Sequence, residues 1–321
     1  MILLSSLCAL AVSFFSFPLV IPRLKRSGII GKDLNKPGQP EIAEMGGLVT
    51  AAGFCAGILL LIALKTFANQ FSTINLQYLL AAFATVLTAV LIGVVDDLIL
   101  LRQSVKAITP LFAALPLVAV KIGQTTIGLP FVGQVDFGIF YSLVLVPLGF
   151  TIAANGVNML AGFNGLEVGM GTVSIAALAI IAFHLGETTA LAILLAGLGA
   201  LLATLRYNWY PAKVFIGDAG TFIIGAMIAS AVIIGNFEMA GVIIMIPYAI
   251  DFFIKATNRL PSHGWEGIFR EGKLYCPDQG EKGLAQLIMK LTGGVSEKNL
   301  TLILVGFEAV CGAFAIWLFL S

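Results

Sequence analysis

Long uncharged apolar stretches follow one another along almost the whole chain, and no other feature limits its fold as strongly. A helix crosses the hydrocarbon of a bilayer with roughly 20 apolar residues. Ten stretches approach that length, over residues 2–22, 46–64, 77–95, 107–121, 139–159, 168–185, 189–205, 214–234, 239–255 and 299–320, the fourth and ninth being short or interrupted. Of the 321 residues 59% are hydrophobic and 11% charged, where a soluble domain carries about 25% charged residues. A water-soluble globule is excluded. So is a secreted disulfide scaffold, because Cys8, Cys55, Cys276 and Cys311 show no close pairing. Backbone groups in hydrocarbon must bond within their own segment. The expectation is therefore an all-α integral membrane protein of about ten transmembrane helices, a single polytopic domain over residues 1–321.

Basic residues orient it. The first stretch has no lysine or arginine before its apolar core and carries Arg23, Lys25 and Arg26 directly after it, which suits an uncleaved span better than a signal peptide. Placing both termini outside puts every one of the 18 lysines and arginines except Lys65 and Lys121 at the inner face, as the positive-inside rule favours. The longest inner loop covers residues 256–298. Glu271-Gly272 within GIFREGKLYCP predicts a small hairpin, and LAQLIMKL at 284–291 predicts a helix on the membrane surface. No internal repeat of the transporter kind is visible.

Ionisable and amide side chains beside hydrocarbon are costly, so each needs a partner or a purpose. Asp96 and Asp97 end the third stretch, Asn155, Asn158 and Asn164 follow one another in NGVNMLAGFNGLEVG, and Asp218 opens the eighth stretch in VFIGDAGTF. Taken singly, the aspartate pair reads as interfacial carboxylates, Asp218 as a helix cap and Asn158 as a bond between helices. Taken together, separate loops bring oxygen ligands to one membrane face beside Lys106 and Arg259. Adjacent carboxylates repel unless a cation holds them, which a divalent metal or Lys106 from the same loop would supply, and magnesium accepts one or two protein oxygens while taking the rest from phosphate and water. Gly156, Gly162, Gly165 and Gly169 permit a tight turn whose N–H groups would face a nucleotide, or serve as small residues in helix packing. Glu308, Asp251, His184, Trp209 and Tyr210 read as structural or interfacial, and His263 as an exposed loop residue within reach of substrate but with no spacing that favours that role.

These segments carry a resemblance. GKDLNKPGQPEIAEMGG, GVVDDLILLR with Lys106, GQTTIG, NGVNMLAGFNGLEVG, YNWYPAKVFIGDAG, NRLP and EKNLTLIL occur in this order, and the chain resembles the polyprenyl-phosphate N-acetylhexosamine-1-phosphate transferases, most closely their dolichyl-phosphate GlcNAc-1-phosphotransferase branch. The histidine-rich last-loop signature of the phospho-MurNAc-pentapeptide translocases is absent. The resemblance implies a ten-helix enzyme that moves GlcNAc-1-phosphate from UDP-GlcNAc to a polyprenyl or dolichyl phosphate and releases UMP. It implies Asn158 and Asp218 as ligands of Mg2+ (Mn2+ as substitute), Lys106 at the phosphates, and Asp96 and Asp97 as the paired catalytic aspartates. It further implies Asn164 and the glycines around it, Gly162 among them, at the uridine-binding turn, Asn155 as a further substrate-binding residue, Glu44 and the last loop near the sugar, and Arg259 at the pyrophosphate. Two positions depart from the pattern: Leu100 stands where a third polar residue is usual, and Arg-His-Arg in the last loop is Thr257-Asn258-Arg259. Another UDP-N-acetylhexosamine such as UDP-GalNAc is the runner-up donor. A secondary transporter or lipid carrier is the alternative of a different class. The expected setting is a prokaryotic, archaeal-type cell membrane with the site on the cytoplasmic side, or the endoplasmic reticulum in a eukaryote. No nucleic-acid partner is expected, and a homodimer is left open.

Overall fold

A computed structural model describes residues 2–129, 133–261 and 263–321. Helix α1 (Leu3–Arg26) leads into a hairpin of β1 (Ile30–Lys32) and β2 (Glu41–Ala43), then α2 (Gly47–Ala68), α3 (Leu76–Ile99), α4 (Gln103–Ala113) and α5 (Leu115–Ala119). A second hairpin pairs β3 (Thr126–Leu129) with β4 (Gly133–Asp136). There follow α6 (Val146–Met159), α7 (Leu166–His184), α8 (Thr188–Asn208), α9 (Gly217–Gly235), α10 (Glu238–Ile244) and α11 (Ile246–Thr257). The hairpin of β5 (Ile268–Arg270) and β6 (Lys273–Tyr275), then α12 (Leu284–Leu291) and α13 (Glu297–Leu320), complete the chain.

Among the described residues eight helices are long and apolar enough to cross a membrane, and nine if α10 and α11 form one broken span bent by 56°. The break falls where Pro247 opens α11, since proline cannot donate to the preceding turn. The expected fourth span, residues 107–121, is instead taken by α4 and α5, a shorter apolar pair over Gln103–Ala119. Pro110 lies inside α4 and Pro116 in the first turn of α5, which interrupts the hydrogen-bond ladder of a single rod. The chain is thus a multi-pass, mostly helical membrane protein. The hairpin and the helix expected in the last loop are both present: β5 and β6 turn through Glu271 and Gly272, both at positive φ, and α12 covers residues 284–291. The hairpins β1–β2 and β3–β4 had no counterpart in the sequence reading.

Helix α9 is the axis of the bundle, in contact with α2, α3, α6, α7, α8 and α10, and nearly every residue along it is buried. Helices α1 and α13 lie outermost and show apolar side chains to the surroundings. In lipid no hydrophobic force drives helices together, so close backbone packing supplies the attraction. Gly93 on α3 illustrates it: a Cβ there would lie 2.5 Å from Ala219 backbone atoms. Gly47 at the start of α2 is likewise pressed against Gly220, where a Cβ would meet backbone at 2.2 Å. Both contacts clamp the first turn of α9, which carries Asp218.

Candidate active site

Four helix ends meet at one side of the bundle: the last turns of α3 and α6 and the first turns of α4 and α9. Asp96, buried at the end of α3, accepts from Leu101 N (2.8 Å) through Oδ1 and holds Lys106 Nζ 2.8 Å from Oδ2. Lys106, in the first turn of α4, reaches Asp218 Oδ2 at 2.6 Å. Asn158, in the last turn of α6, donates to Asp218 Oδ1 and to Thr221 Oγ1, the latter at 2.7 Å. Asp97 faces another way. Its oxygens accept from the N–H groups of Asp218 (2.7 Å) and Ala219 (3.2 Å). Those donors have no partner inside α9, and the positive end of the helix dipole favours a carboxylate there. A Cβ on Gly217, which has φ +66°, would lie 2.6 Å from Asp97 Oδ2, so the chain approaches Asp97 closely only with glycine at that position.

The loop before α9 is sewn to the first hairpin. Phe215 N donates to Ala43 O, Gly46 N to Phe215 O and Gly47 N to Ile216 O, each at 2.8 Å. This carries Glu44 to the site, where burial, and then the negative charge of Asp218, raise its pKa above the ordinary carboxylate value.

A cavity of about 890 Å³ opens here, and its wall includes Glu44, Lys106, Asn155, Asn158, Gly162 and Asp218. Asn155 also donates to Ala107 O at 2.9 Å, tying α6 to α4. Asp96 and Asp97 stand behind this wall rather than on it. Asn164 is buried behind the turn, with Oδ1 accepting from Lys36 Nζ (2.8 Å) and Ala212 N (2.7 Å) and Nδ2 donating to Asp33 Oδ2 (3.1 Å). The turn's N–H groups, expected to face a nucleotide, partly point inward: Gly162 N donates to Glu167 Oε1 (2.9 Å) and Asn164 N to Glu297 Oε1 (2.8 Å). Arg259 is exposed, at positive φ, and outside the cavity wall. Glu308 and Asp251 bond within the fold, to Ser174 Oγ (2.6 Å) and Leu284 N (2.8 Å).

Of the wall residues that the sequence did not single out, Lys255 and Trp265 stand out. Lys255 on α11 is buried, pairs with Asp251 Oδ2 at 2.8 Å and donates to Met159 O. Its signal was an Asp251–Lys255 pair at the spacing of one helical turn in an apolar run. Trp265 stands edge-on to Phe163 with centroids 5.7 Å apart, and a Cβ on Gly162 would come within 2.4 Å of its ring; no local pattern announced that contact.

Among the described residues no group of three His, Cys, Asp or Glu side chains is placed to hold a metal alone. The donor set nevertheless suits magnesium, which needs only one or two protein oxygens when phosphate supplies others. The Asp218 carboxylate and the Asn158 amide face one point of the cavity wall, and a half-turn of that amide presents its oxygen in place of Nδ2. Acidic groups gather here: Lys106 pairs with Asp96 and Asp218, Asp97 bonds to the first turn of α9, and Glu44 lines the same cavity.

A model of glycosyl transferase family 4 matches residues 79–236. A protein of Saccharolobus solfataricus, provisionally named a UDP-N-acetylglucosamine–dolichyl-phosphate N-acetylglucosaminephosphotransferase, is 38% identical over 318 residues, 98% of this chain and 96% of its own. The chain belongs to glycosyl transferase family 4. The Dictyostelium discoideum UDP-N-acetylglucosamine–dolichyl-phosphate N-acetylglucosaminephosphotransferase is 28% identical over 93% of this chain and 86% of its own. A Clostridium perfringens phospho-N-acetylmuramoyl-pentapeptide-transferase is 37% identical over 134 residues, 41% of this chain and 42% of its own. The glycosyl transferase family 4 match takes in α3 through α9, and with them Asp96, Asp97, Lys106, Asn158 and Asp218. Glu44, Lys255 and Arg259 lie outside it.

Proposed function

We propose that this chain transfers GlcNAc-1-phosphate from UDP-GlcNAc to a polyprenyl phosphate of the dolichyl type, giving the polyprenyl-diphosphate sugar and UMP. The observation that carries this reading is the meeting of Lys106, Asp218 and Asn158 on the wall of a cavity that is also lined by exposed apolar side chains, among them Ile152, Phe252 and Phe253. Such a cavity suits one polar and one lipidic substrate, and the names of the relatives agree with both.

Two anions must be brought together, so charge cancellation and alignment come first. Asp218 and Asn158 would hold a magnesium ion, which when bound supplies positive charge at the diphosphate. Lys106, oriented by Asp96, adds its ammonium to the same phosphates. An oxygen of the lipid phosphate attacks the β-phosphorus, the bond from that phosphorus to the bridging oxygen breaks, and UMP leaves with the electron pair. The attacking phosphate has a second pKa of about 6 and is largely ionised at neutral pH, so no strong base is required. Asp97 positions Asp218 by fixing the first turn of α9. Inversion at phosphorus is the expected stereochemical outcome; retention would favour a covalent aspartyl intermediate instead.

Arg23, Lys25 and Arg26 end α1 on the side where β1–β2 joins the site, which supports a cytoplasmic location for the cavity. An archaeal-type cell membrane is the proposed setting, given the relative in Saccharolobus solfataricus. The deciding experiment uses purified protein in detergent. UMP should appear only when UDP-GlcNAc, a polyprenyl phosphate and Mg2+ are all present, should stop with EDTA and should return with Mg2+ or Mn2+. A carrier would release none, and faster release with UDP-GalNAc would reassign the donor.

A further inference from the structure

We propose that Lys255 is the second phosphate-binding cation of the cavity and holds the phosphate of the lipid acceptor, an inference that rests on the transferase reading above. Tyr248, Phe252 and Lys255 stand at i, i+4 and i+7 on α11 and all line the cavity, so they form one stripe along that helix. Beside Phe252, 41% exposed, lies Phe253, 66% exposed, and across from them on α6 Ile152 is 57% exposed. This side of the cavity is therefore apolar and open outward. A polyprenyl chain removes its own apolar surface from water there, or packs as it does against lipid tails, and the exposure of these side chains towards the surroundings suits a long chain better than a compact nucleotide. An amphiphile lying on α11 with its chain past Phe252 brings its anionic head to Lys255.

The local bonding leaves the ammonium equipped for that role. Of its three N–H donors, one goes to Met159 O at the end of α6 and one faces Asp251 Oδ2 at 2.8 Å. Asp251 gives its other oxygen to Leu284 N at the start of α12, so its charge is shared. Met159 directly follows Asn158, which sets Lys255 beside the polar wall from the α11 side while Lys106 reaches it from the α4 side. The arginine expected from the resemblance, Arg259, is exposed and outside the wall.

The test measures initial rates of the purified full chain while each substrate is varied with the other saturating. Lys255→Gln keeps a donor for Met159 O and removes the charge. It should raise KM for polyprenyl phosphate about tenfold, the size of effect expected for one charge-assisted hydrogen bond, with KM for UDP-GlcNAc changed less than about twofold. Lys255→Arg should recover most of the loss. An unchanged acceptor KM overturns the proposal. So does an equal rise in KM for UDP-GlcNAc, which would put the lysine on the diphosphate. A purely structural lysine would lower the melting temperature without separating the two constants. Footprinting of the unaltered protein with acetic anhydride covers the case in which Lys255→Gln does not fold. Polyprenyl phosphate should shield Lys255 from acetylation and UDP-GlcNAc alone should not; absence of shielding by the lipid overturns the proposal. Unaltered protein that releases no UMP would defeat the transferase reading, and the footprint would still report on Lys255 independently.

Discussion

Asp96 and Asp97 are sequence neighbours that meet different partners. Lys106 pairs with Asp96, whereas Asp97 accepts from backbone N–H groups in the first turn of α9. Asp218 and Lys106 are the two residues whose loss should be felt directly in the chemistry. Asp218→Asn or Lys106→Ala should leave a folded protein, judged by thermal unfolding in detergent, with UMP release reduced by about 10²-fold or more, as when one preorganised charge partner is removed. Near-normal rates in either variant would refute the assigned role. Glu44 makes a different prediction. Burial and the nearby Asp218 raise its pKa above 4.5, so between that value and the raised one the folded chain binds more protons than the unfolded one. Its contribution to stability is present at low pH and is lost as pH rises through the folded value. Melting temperature followed upward from pH 4.5 should fall less steeply in Glu44→Gln, and an unaltered slope would contradict this account.

At the scale of elements, glycine contacts and one carboxylate fix the first turn of α9, and so the position of Asp218. Gly93→Val should force α3 away from Ala219 and cost about 1–3 kcal/mol, the usual penalty of overpacking, seen as a lower melting temperature together with lower turnover. Full retention of both would mean that the α3–α9 contact is looser than the 2.5 Å approach implies. The spacing of apolar residues made most of these helices legible beforehand, since length and lack of charge are properties of a contiguous segment. The break between α10 and α11 was also visible, as an interruption at Pro247. The hairpin β1–β2 was not: its strands have three residues each, too few for a periodicity, and they are held by Phe215, more than 170 positions away in the chain.

For the whole molecule, the proposed function rests on a cavity lined both by charged groups and by exposed apolar side chains on α6 and α11. A photoactivatable polyprenyl phosphate should label α6 and α11 around Ile152, Phe252 and Phe253, read by mass spectrometry of the cross-linked peptides. Labelling confined to the opposite end of the bundle would remove the basis for a cytoplasmic acceptor groove. The amino-acid sequence determined that the chain lives in a membrane as a bundle of helices, because burying so much apolar surface without charge leaves no other solution, and its ordered motifs disclosed the family. The tertiary structure decided which polar residues share a space. Asn164, prominent in the glycine-rich motif, is consumed by bonds to Lys36, Asp33 and Ala212, whereas Lys255, inconspicuous in sequence, stands on the cavity wall. Side-chain direction follows from how helices pack and where a turn reverses, and those depend on contacts between residues far apart in the chain, which no local pattern encodes.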